Sequence, residues 1–212
     1  MKLLIHGQTC HLMPQRAIFW EEEQTLILSD IHIGKSAVFR RFGIPIPEGS
    51  TKNDLVNLMI LLDQFKPKKC VIVGDLIHAK SGLSAEVTRM FSEFLHGACC
   101  ETHLVMGNHD RALAKKLPEE WPLYLHKELL FIEPFVFSHH PLANENGFVW
   151  AGHLHPKVEL KSLHDRLVLR CFQIFPNLGI LPAFGEFVGG SFVKKNEGCQ
   201  IYAIANSKVI KI

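Results

Sequence analysis

Short apolar runs that end at turn-forming residues recur along the chain and predict buried β-strands. Five of these runs are Thr25–Ser29, Cys70–Gly74, His103–Gly107, Phe135–Ser138 and Phe148–Gly152. Two segments with helical periodicity lie among them, Asn53–Phe65 and Glu86–Leu95, and each places its apolar residues on one face. The alternation of strand and helix predicts right-handed βαβ units around a largely parallel α/β core.

The two ends of the chain have a different pattern, one that is typical of antiparallel strands. The segments are Leu3–Leu12, Ala17–Trp20, Arg166–Phe172, Gly179–Phe184 and Gln200–Ile212. Asn206 and Ser207 are expected to turn the last hairpin. The one long loop is Gly34–Ser50, and loops of this length are usually functional or disordered. No linker or repeat interrupts the pattern, so we expect a single domain over residues 1–212.

Composition narrows the class of protein. The 212 residues carry a net charge of +2, which excludes a protein that coats DNA through a global positive field. The six cysteines form no C-x-x-C pair, which argues against a zinc knuckle or a redox motif. No apolar run is long enough for a membrane helix, and the first residues lack the apolar core of a secretion signal. We therefore expect a cytoplasmic protein with no membrane partner.

Residues of metal-binding type follow each of the five predicted core strands. They are Asp30 and His32, then Asp75 and His78, then Asn108, His109 and Asp110, then His139 and His140, and finally His153 and His155. In an open parallel sheet, ligands bind in the crevice outside the carboxyl ends of the strands. One such motif would carry little weight, but five in chain order predict a metal site in a shared crevice.

These motifs resemble those of the calcineurin-like metallophosphoesterases, with no element missing. The matching pattern is Asp30-x-His32, Gly74-Asp75, Gly107-Asn108-His109-Asp110, His139 and Gly152-His153-x-His155. The resemblance implies a four-layer αββα sandwich with a mixed-sheet core and a phosphoesterase activity. It further implies one metal ion held by Asp30, His32, Asp75 and His155, and a second ion held by Asp75, Asn108, His139 and His153.

Elementary chemistry agrees with a dinuclear site. Two divalent ions about 3.5–4 Å apart need a bridging anion, and the carboxylate of Asp75 is the natural bridge. Nitrogen and oxygen ligands without thiolate favour Mn, with Fe, Co or Zn as alternatives. We expect Gly74, Gly107 and Gly152 to let the backbone turn sharply into each ligand.

His109 is next to a ligand in the sequence, and the resemblance implies that it contacts the phosphate and protonates the leaving oxygen. The alternative is that it merely supports Asn108. Asp110 is expected to orient the His109 ring as its base–orienter partner. His139 is preferred over His140 as the ligand because the resemblance places the ligand two positions before the proline. For His78 the sequence leaves a supporting role, a substrate contact and simple exposure open.

A closer resemblance covers nearly the whole chain. It is carried by His32-Ile33-Gly34-Lys35, by Phe39-Arg40-x-x-Gly43-Ile44-x-x-Pro47-x-Gly49, by Phe137-Ser138-His139-His140-Pro141 and by Leu181-Pro182-Ala183-Phe184-Gly185-x-Phe187-x-Gly189-Gly190. These segments are similar to the ligase-associated DNA damage response endonucleases (PdeM-like). That family implies an endonuclease of DNA repair associated with a DNA ligase, helicase or exonuclease system. Val188 and Arg170 depart from its pattern, where Thr and Pro are more usual.

The residues of the long loop bear on the substrate. Lys35, Arg40 and Arg41 form a cationic cluster just beyond the first metal-binding turn, as a DNA strand would need beside its scissile phosphate. Phe39 and Phe42 could stack on bases. The competing interpretation is a lid over a small substrate, which would make the protein a phosphatase or pyrophosphatase for a nucleotide or other small phosphoester. A scaffold without activity is disfavoured by the full set of ligands and His109.

Overall fold

A first mixed sheet carries the opening half of the chain. The computed structural model describes residues 1–43, 49–113, 117–143, 147–161, 165–193 and 197–212. Seven strands lie side by side in chain order, and they are β1 (Lys2–Ile5), β2 (Gln8–Leu12), β3 (Ile18–Trp20), β4 (Thr25–Leu28), β5 (Lys69–Val73), β6 (Glu101–Val105) and β7 (Leu123–His126). Neighbours from β1 to β4 pair antiparallel, and neighbours from β4 to β7 pair parallel.

Helices follow the parallel strands, as parallel neighbours require a crossover. They are α1 (Lys35–Arg41), α2 (Ser50–Phe65), α3 (Ala85–Gly97) and α4 (Asn108–Leu113). The side chain of Ser84 caps α3 by accepting a hydrogen bond from the Val87 amide at 3.2 Å. Apolar residues of α2 and α3 pack on β4, β5 and β6 in one buried cluster that includes Leu58, Ile72 and Phe91.

A second mixed sheet carries the rest of the chain. Its strands are β8 (Leu129–Ile132), β9 (Phe135–Ser138), β10 (Phe148–Ala151), β11 (Lys157–Lys161), β12 (Arg166–Ile174), β13 (Leu178–Ile180), β14 (Gln200–Ala205) and β15 (Lys208–Lys211). The spatial order is β15-β14-β12-β13-β10-β9-β8, and β11 lies off this path because it pairs with the first half of β12. β9, β10 and β13 are parallel, and the remaining neighbours are antiparallel.

Large aromatic rings join the two sheets. Trp20 of the first sheet lies 4.6 Å from Phe135 of the second, measured between ring centroids. Behind this contact, Phe148 and Trp150 of β10 lie 4.9 Å apart within the second sheet. All four side chains are buried with under 2% of their surface exposed. The predicted fold class, a calcineurin-like α/β sandwich with a mixed-sheet core, is confirmed.

The five predicted core strands are confirmed, but they do not share one sheet. β4, β5 and β6 belong to the first sheet, whereas β9 and β10 belong to the second. The expected parallel pairing is confined to part of each sheet, because strand patterns report burial and not pairing partners. The expected loop Gly34–Ser50 contains helix α1, and its residues 44–48 lie outside the described ranges. Strands β7, β8 and β11 were not predicted, since their residues are largely half-exposed.

Among the described residues, no helix has the length and apolar character needed to cross a membrane.

Candidate metal centre

The carboxyl ends of the core strands of both sheets meet at one margin of the sandwich. The Asp30 amide donates to the Gly74 carbonyl at 3.0 Å, which joins the turns after β4 and β5. The His153 amide donates to Asp30 Oδ2 at 3.0 Å, across 123 positions of the sequence. This second bond connects the two sheets, so the turns that bear predicted ligands form one surface.

Asp30, His32 and His155 form the first group of candidate ligands, with one ligand atom of each within 4.8 Å of the others. His155 Nε2 lies 3.0 Å from Asp30 Oδ1. Asp30 Oδ1, His32 Nε2 and His155 Nε2 are buried, and each is without a hydrogen-bond partner in the described part of the chain. Buried polar atoms without partners are costly, and a cation would satisfy all three. The donor set therefore fits a metal ion.

Asn108, His139 and His153 form the second group. His139 Nε2 lies 3.0 Å from Asn108 Oδ1 and 3.2 Å from His153 Nδ1. His139 Nδ1 faces the carbonyl of Val73 at 3.5 Å. A proton on Nδ1 would leave the lone pair of Nε2 directed toward the other two ligand atoms, as metal-binding imidazoles require. This group also fits a cation.

Asp75 lies between the two groups. Its Oδ2 is 3.7 Å from His32 Nε2 and 3.5 Å from His139 Nε2, while its Oδ1 accepts the amide hydrogen of His109 at 3.0 Å. The residue is 2% exposed. One buried carboxylate oxygen thus faces both candidate sites, which is the placement that the bridging role requires.

Burial favours the neutral form of three candidate ligands, His32, His139 and His153. Desolvation is the main cause that lowers the pKa of His32 to about 2, and nearby Lys35 lowers it further. Burial likewise lowers the pKa of His139 and of His153. Neutral imidazoles can bind a metal at neutral pH without first losing a proton.

The backbone of the centre is strained. Five predicted ligands lie in the left-handed region, and they are Asp30, His32, Asp75, His153 and His155, with φ between 45° and 67°. Such conformations cost a residue with a side chain on the order of 1 kcal/mol each, and they cluster at functional sites. No sequence pattern indicated this strain.

The three glycines next to ligands are required mainly for space. Gly74 does have a φ of +81°, but Gly107 and Gly152 do not have positive φ. A Cβ on Gly74 would overlap the His139 ring, and one on Gly107 would overlap the Asp75 side chain. The prediction of a sharp glycine turn therefore holds for Gly74 alone, and the other two permit close approach of neighbouring turns.

His109 is half-exposed beside the centre, with its Nε2 3.9 Å from Asp75 Oδ2. Its Nδ1 contacts the His78 carbonyl at 2.6 Å, which fixes the ring. Asp110 does not make the orienting contact that we expected. Its buried carboxylate accepts amide hydrogens of Leu76, Ile77 and Gly107 at 3.0–3.2 Å, so it holds the backbone of the Asp75 and Asn108 turns together. Burial raises the pKa of Asp110 to about 6.

Both histidines that the sequence left open lie at the centre. The His78 ring stacks on His109 at 5.0 Å, and its Nδ1 is 3.4 Å from His32 Nδ1. The exposed His140 ring lies 4.3 Å from His153 and groups with His139 and His153 as a candidate ligand set. The geometry thus makes His78 a neighbour of the general-acid candidate and leaves His140 within reach of the second group.

The predicted basic residues lie on α1. Lys35 begins the helix, and its Nζ is 5.7 Å from the centroid of the Phe39 ring. Lys35 lines the same small cavity as the candidate ligand His32. Burial lowers the pKa of Lys35, while the charges of Asp30 and Asp75 oppose that shift. Arg40 is half-buried, and the side chain of Arg41 lies outside the described part of the structure. Phe42 is 80% exposed, whereas Phe39 packs edge-on to His78.

Sequence reasoning missed a support beneath the first ligand turn. The Gly185 amide donates to the Asp30 carbonyl at 3.2 Å, and the Phe184 amide donates to the Ser29 carbonyl at 2.8 Å. Arg170 holds this segment through the carbonyls of Ala183 and Gly185, both at 2.7 Å. The departure of Arg170 from the family pattern is the one signal of this support in the sequence.

Comparison with known proteins assigns the class. A family model described as calcineurin-like phosphoesterase matches residues 24–195. The chain therefore belongs to the calcineurin-like phosphoesterase family and is a hydrolase of the metal-dependent type, which generally binds two divalent ions. The predicted family is confirmed.

One solved structure is similar over the full length of both chains. It is the Pseudomonas putida nuclease MPE, at 29% identity and a TM-score of 0.87, with 100% of this chain and 99% of that chain covered. A protein of unknown function from Aquifex aeolicus matches at 20% identity and a TM-score of 0.45, over 62% of this chain and 78% of its own. The phosphoesterase Yfce of E. coli matches at 17% identity and a TM-score of 0.47, over 89% of this chain and 97% of its own. A search of curated proteins found no match.

Proposed function

We propose that this phosphoesterase is a phosphodiesterase that cuts DNA internally, as an endonuclease of DNA repair. The observation that carries the proposal is the likeness to the P. putida nuclease, which extends over both chains at 29% identity. The position of Lys35, which shares a small cavity with the candidate ligand His32, supports it, because a phosphodiester strand brings negative charge to that edge.

The proposed ligands follow the two groups described above. Asp30, His32, Asp75 and His155 would hold one ion, and Asp75, Asn108, His139 and His153 would hold the other. The ions would stabilise negative charge on the phosphate and lower the pKa of a water molecule. The nitrogen and oxygen donors suit Mn best, with Fe, Co or Zn as alternatives.

His109 would donate a proton to the leaving oxygen. Its Nδ1 is engaged by the His78 carbonyl, so the exchangeable proton of the imidazolium is on Nε2, which faces Asp75. Asp110 acts indirectly, since it fixes the amides of Leu76 and Gly107 and thereby the turns that bear the ligands.

We further propose that the enzyme works in the cytoplasm with a DNA ligase, helicase or exonuclease as partner. This extension rests on the sequence resemblance to ligase-associated endonucleases. All six cysteines are free thiols, which agrees with a reducing compartment.

Circular DNA tests the proposal, because a circle has no ends for an exonuclease. The parent protein with Mn²⁺ should convert single-stranded or nicked circular DNA to linear fragments. Asp75→Asn should abolish the cutting and lower bound metal below two ions per chain by mass spectrometry, because the bridging charge is lost. Asp63→Asn, on the exposed face of α2, is the matched control and should keep both.

The endonuclease proposal would be contradicted if the circles stayed intact although the parent protein binds two ions and hydrolyses bis(p-nitrophenyl) phosphate. The phosphatase or pyrophosphatase for a small phosphoester would then be the better interpretation.

A further inference from the structure

The second sheet ends in an edge strand without charged side chains. That strand is β8, which pairs with β9 on one side and with no strand of the described chain on the other. Its residues Leu129–Ile132 are all apolar. Lysine is a common protection against edge pairing, and three other edge strands contain it: β1 with Lys2, β11 with Lys157 and Lys161, and β15 with Lys208 and Lys211. An uncharged edge strand is a template for pairing with another chain.

The edge of β8 shares one margin of the sandwich with β7, the last strand of the first sheet. Only Lys127 and Glu128 separate the two strands in the sequence, so their edges lie close together. Large apolar side chains are exposed along this margin. Tyr124 is 56% exposed, Leu125 is 46% exposed and Phe131 is 57% exposed. A cluster of exposed apolar side chains is typical of a contact surface between protein chains.

The pairing of β8 with β9 decides which backbone groups of β8 remain free. A two-residue turn follows β8 and makes Ile132 and Phe135 a hydrogen-bonded pair. Because bonded and non-bonded pairs alternate, the amide and carbonyl groups of Leu129 and Phe131 point away from β9. Neither residue makes a further backbone hydrogen bond in the part of the chain that the structure describes. These groups can therefore bond to another strand.

We propose that β8 pairs antiparallel with β8 of a second copy of this chain, so that the two second sheets join across a two-fold axis. When the axis passes through Leu130, Leu129 of each copy bonds to Phe131 of the other, and all the free groups are used. The same register places Lys127 opposite Glu133 of the other copy, twice per dimer. Registers shifted along the strand lose this pair of opposite charges, so charge complementarity selects the pairing centred on Leu130.

Side-chain packing agrees with this register. Leu129 packs on a buried cluster of Val136, Val149 and Ala151, on the face of the second sheet that points away from the first. Phe131 lies opposite Val136 and therefore on the same face. In the dimer, Phe131 of one copy is the cross-strand neighbour of Leu129 of the other. The exposed ring thus extends a cluster that is already buried in each copy.

Sedimentation velocity of the Mn²⁺-loaded protein tests the proposal over a range of protein concentrations. The parent should shift from the 24.0 kDa of one chain toward twice that mass as the concentration rises. Phe131→Lys gives β8 the lysine that the other edge strands contain, and it should keep the mass of one chain. Leu4→Lys is the matched control and should dimerise like the parent, because Leu4 is 76% exposed on edge strand β1.

Charge reversal tests the register. Lys127→Glu and Glu133→Lys should each weaken dimerisation about tenfold, because two attractive pairs per dimer become repulsive, and the double variant should restore it. A parent that keeps the mass of one chain up to its solubility limit would refute the proposal, as would equal dimerisation of Phe131→Lys and the parent. A double variant that dimerises no better than the single variants would overturn the register. Because mass is measured, these outcomes do not depend on the proposed nuclease function.

Discussion

Arg170→Ala should destabilise the fold and loosen metal binding together. Arg170 is largely buried, and its guanidinium donates to the carbonyls of Ala183 and Gly185 at 2.7 Å each and to the carbonyl of Glu186. A fourth contact to Val188 is longer, at 3.4 Å. Burial lowers the pKa of Arg170 to about 10, so the group remains charged at neutral pH. Its removal would leave these carbonyls without their donor.

The magnitude follows from the number of short bonds. A hydrogen bond to a charged group contributes about 1.5–3 kcal/mol, so the two bonds at 2.7 Å contribute roughly 3–6 kcal/mol. Water can reach the exposed Glu186 side of the segment, which favours the lower end. We expect the free energy of unfolding to fall by about 3 kcal/mol, and by roughly half as much in Arg170→Lys, since one ammonium cannot serve all the carbonyls.

The loss should extend to the metal centre because the Gly185 amide supports the Asp30 carbonyl at 3.2 Å. Urea unfolding in EDTA gives the change in fold stability, and a competition titration with a Mn²⁺ chelator gives the change in affinity. Arg89→Ala is the control, since Arg89 is exposed and its Glu93 pair spans 3.8 Å. If Arg170→Ala unfolds at the same urea concentration as Arg89→Ala, the carbonyl contacts do not stabilise the segment and the reasoning fails.

Two further changes probe the centre itself. His109→Ala should keep its metal, while kcat on DNA falls about 10²–10⁴-fold. The loss should be smaller on a nitrophenyl diester, because its leaving group needs no proton. Equal losses on both substrates would rule out the acid role. Gly74→Ala should retain fewer than two ions per chain, measured by mass spectrometry, because the new Cβ would overlap the His139 ring. The control Gly97→Ala has open space at its Cβ and should retain both ions. Full metal content in Gly74→Ala would show that the His139 ring can move aside.

The sequence by itself determined the local parts of this protein. Apolar runs followed by Asp, His or Asn predicted β4, β5, β6, β9 and β10 and the turns after them. These features depend on neighbouring residues, because burial sets the pattern of a strand and motif spacing sets the side chains at its end. The motifs also identified the family that the comparison confirmed.

Tertiary structure decided how those parts meet. The core strands lie in two sheets, not one. The His109 ring is oriented by the His78 carbonyl, whereas Asp110 accepts hydrogen bonds from backbone amides. Tertiary structure also connected Asp30 to the His153 amide across 123 positions and placed Arg170 under the first ligand turn. Such contacts join segments that are remote in the chain. Their partners depend on the packing of two sheets, which no local pattern of hydrophobic and polar residues specifies.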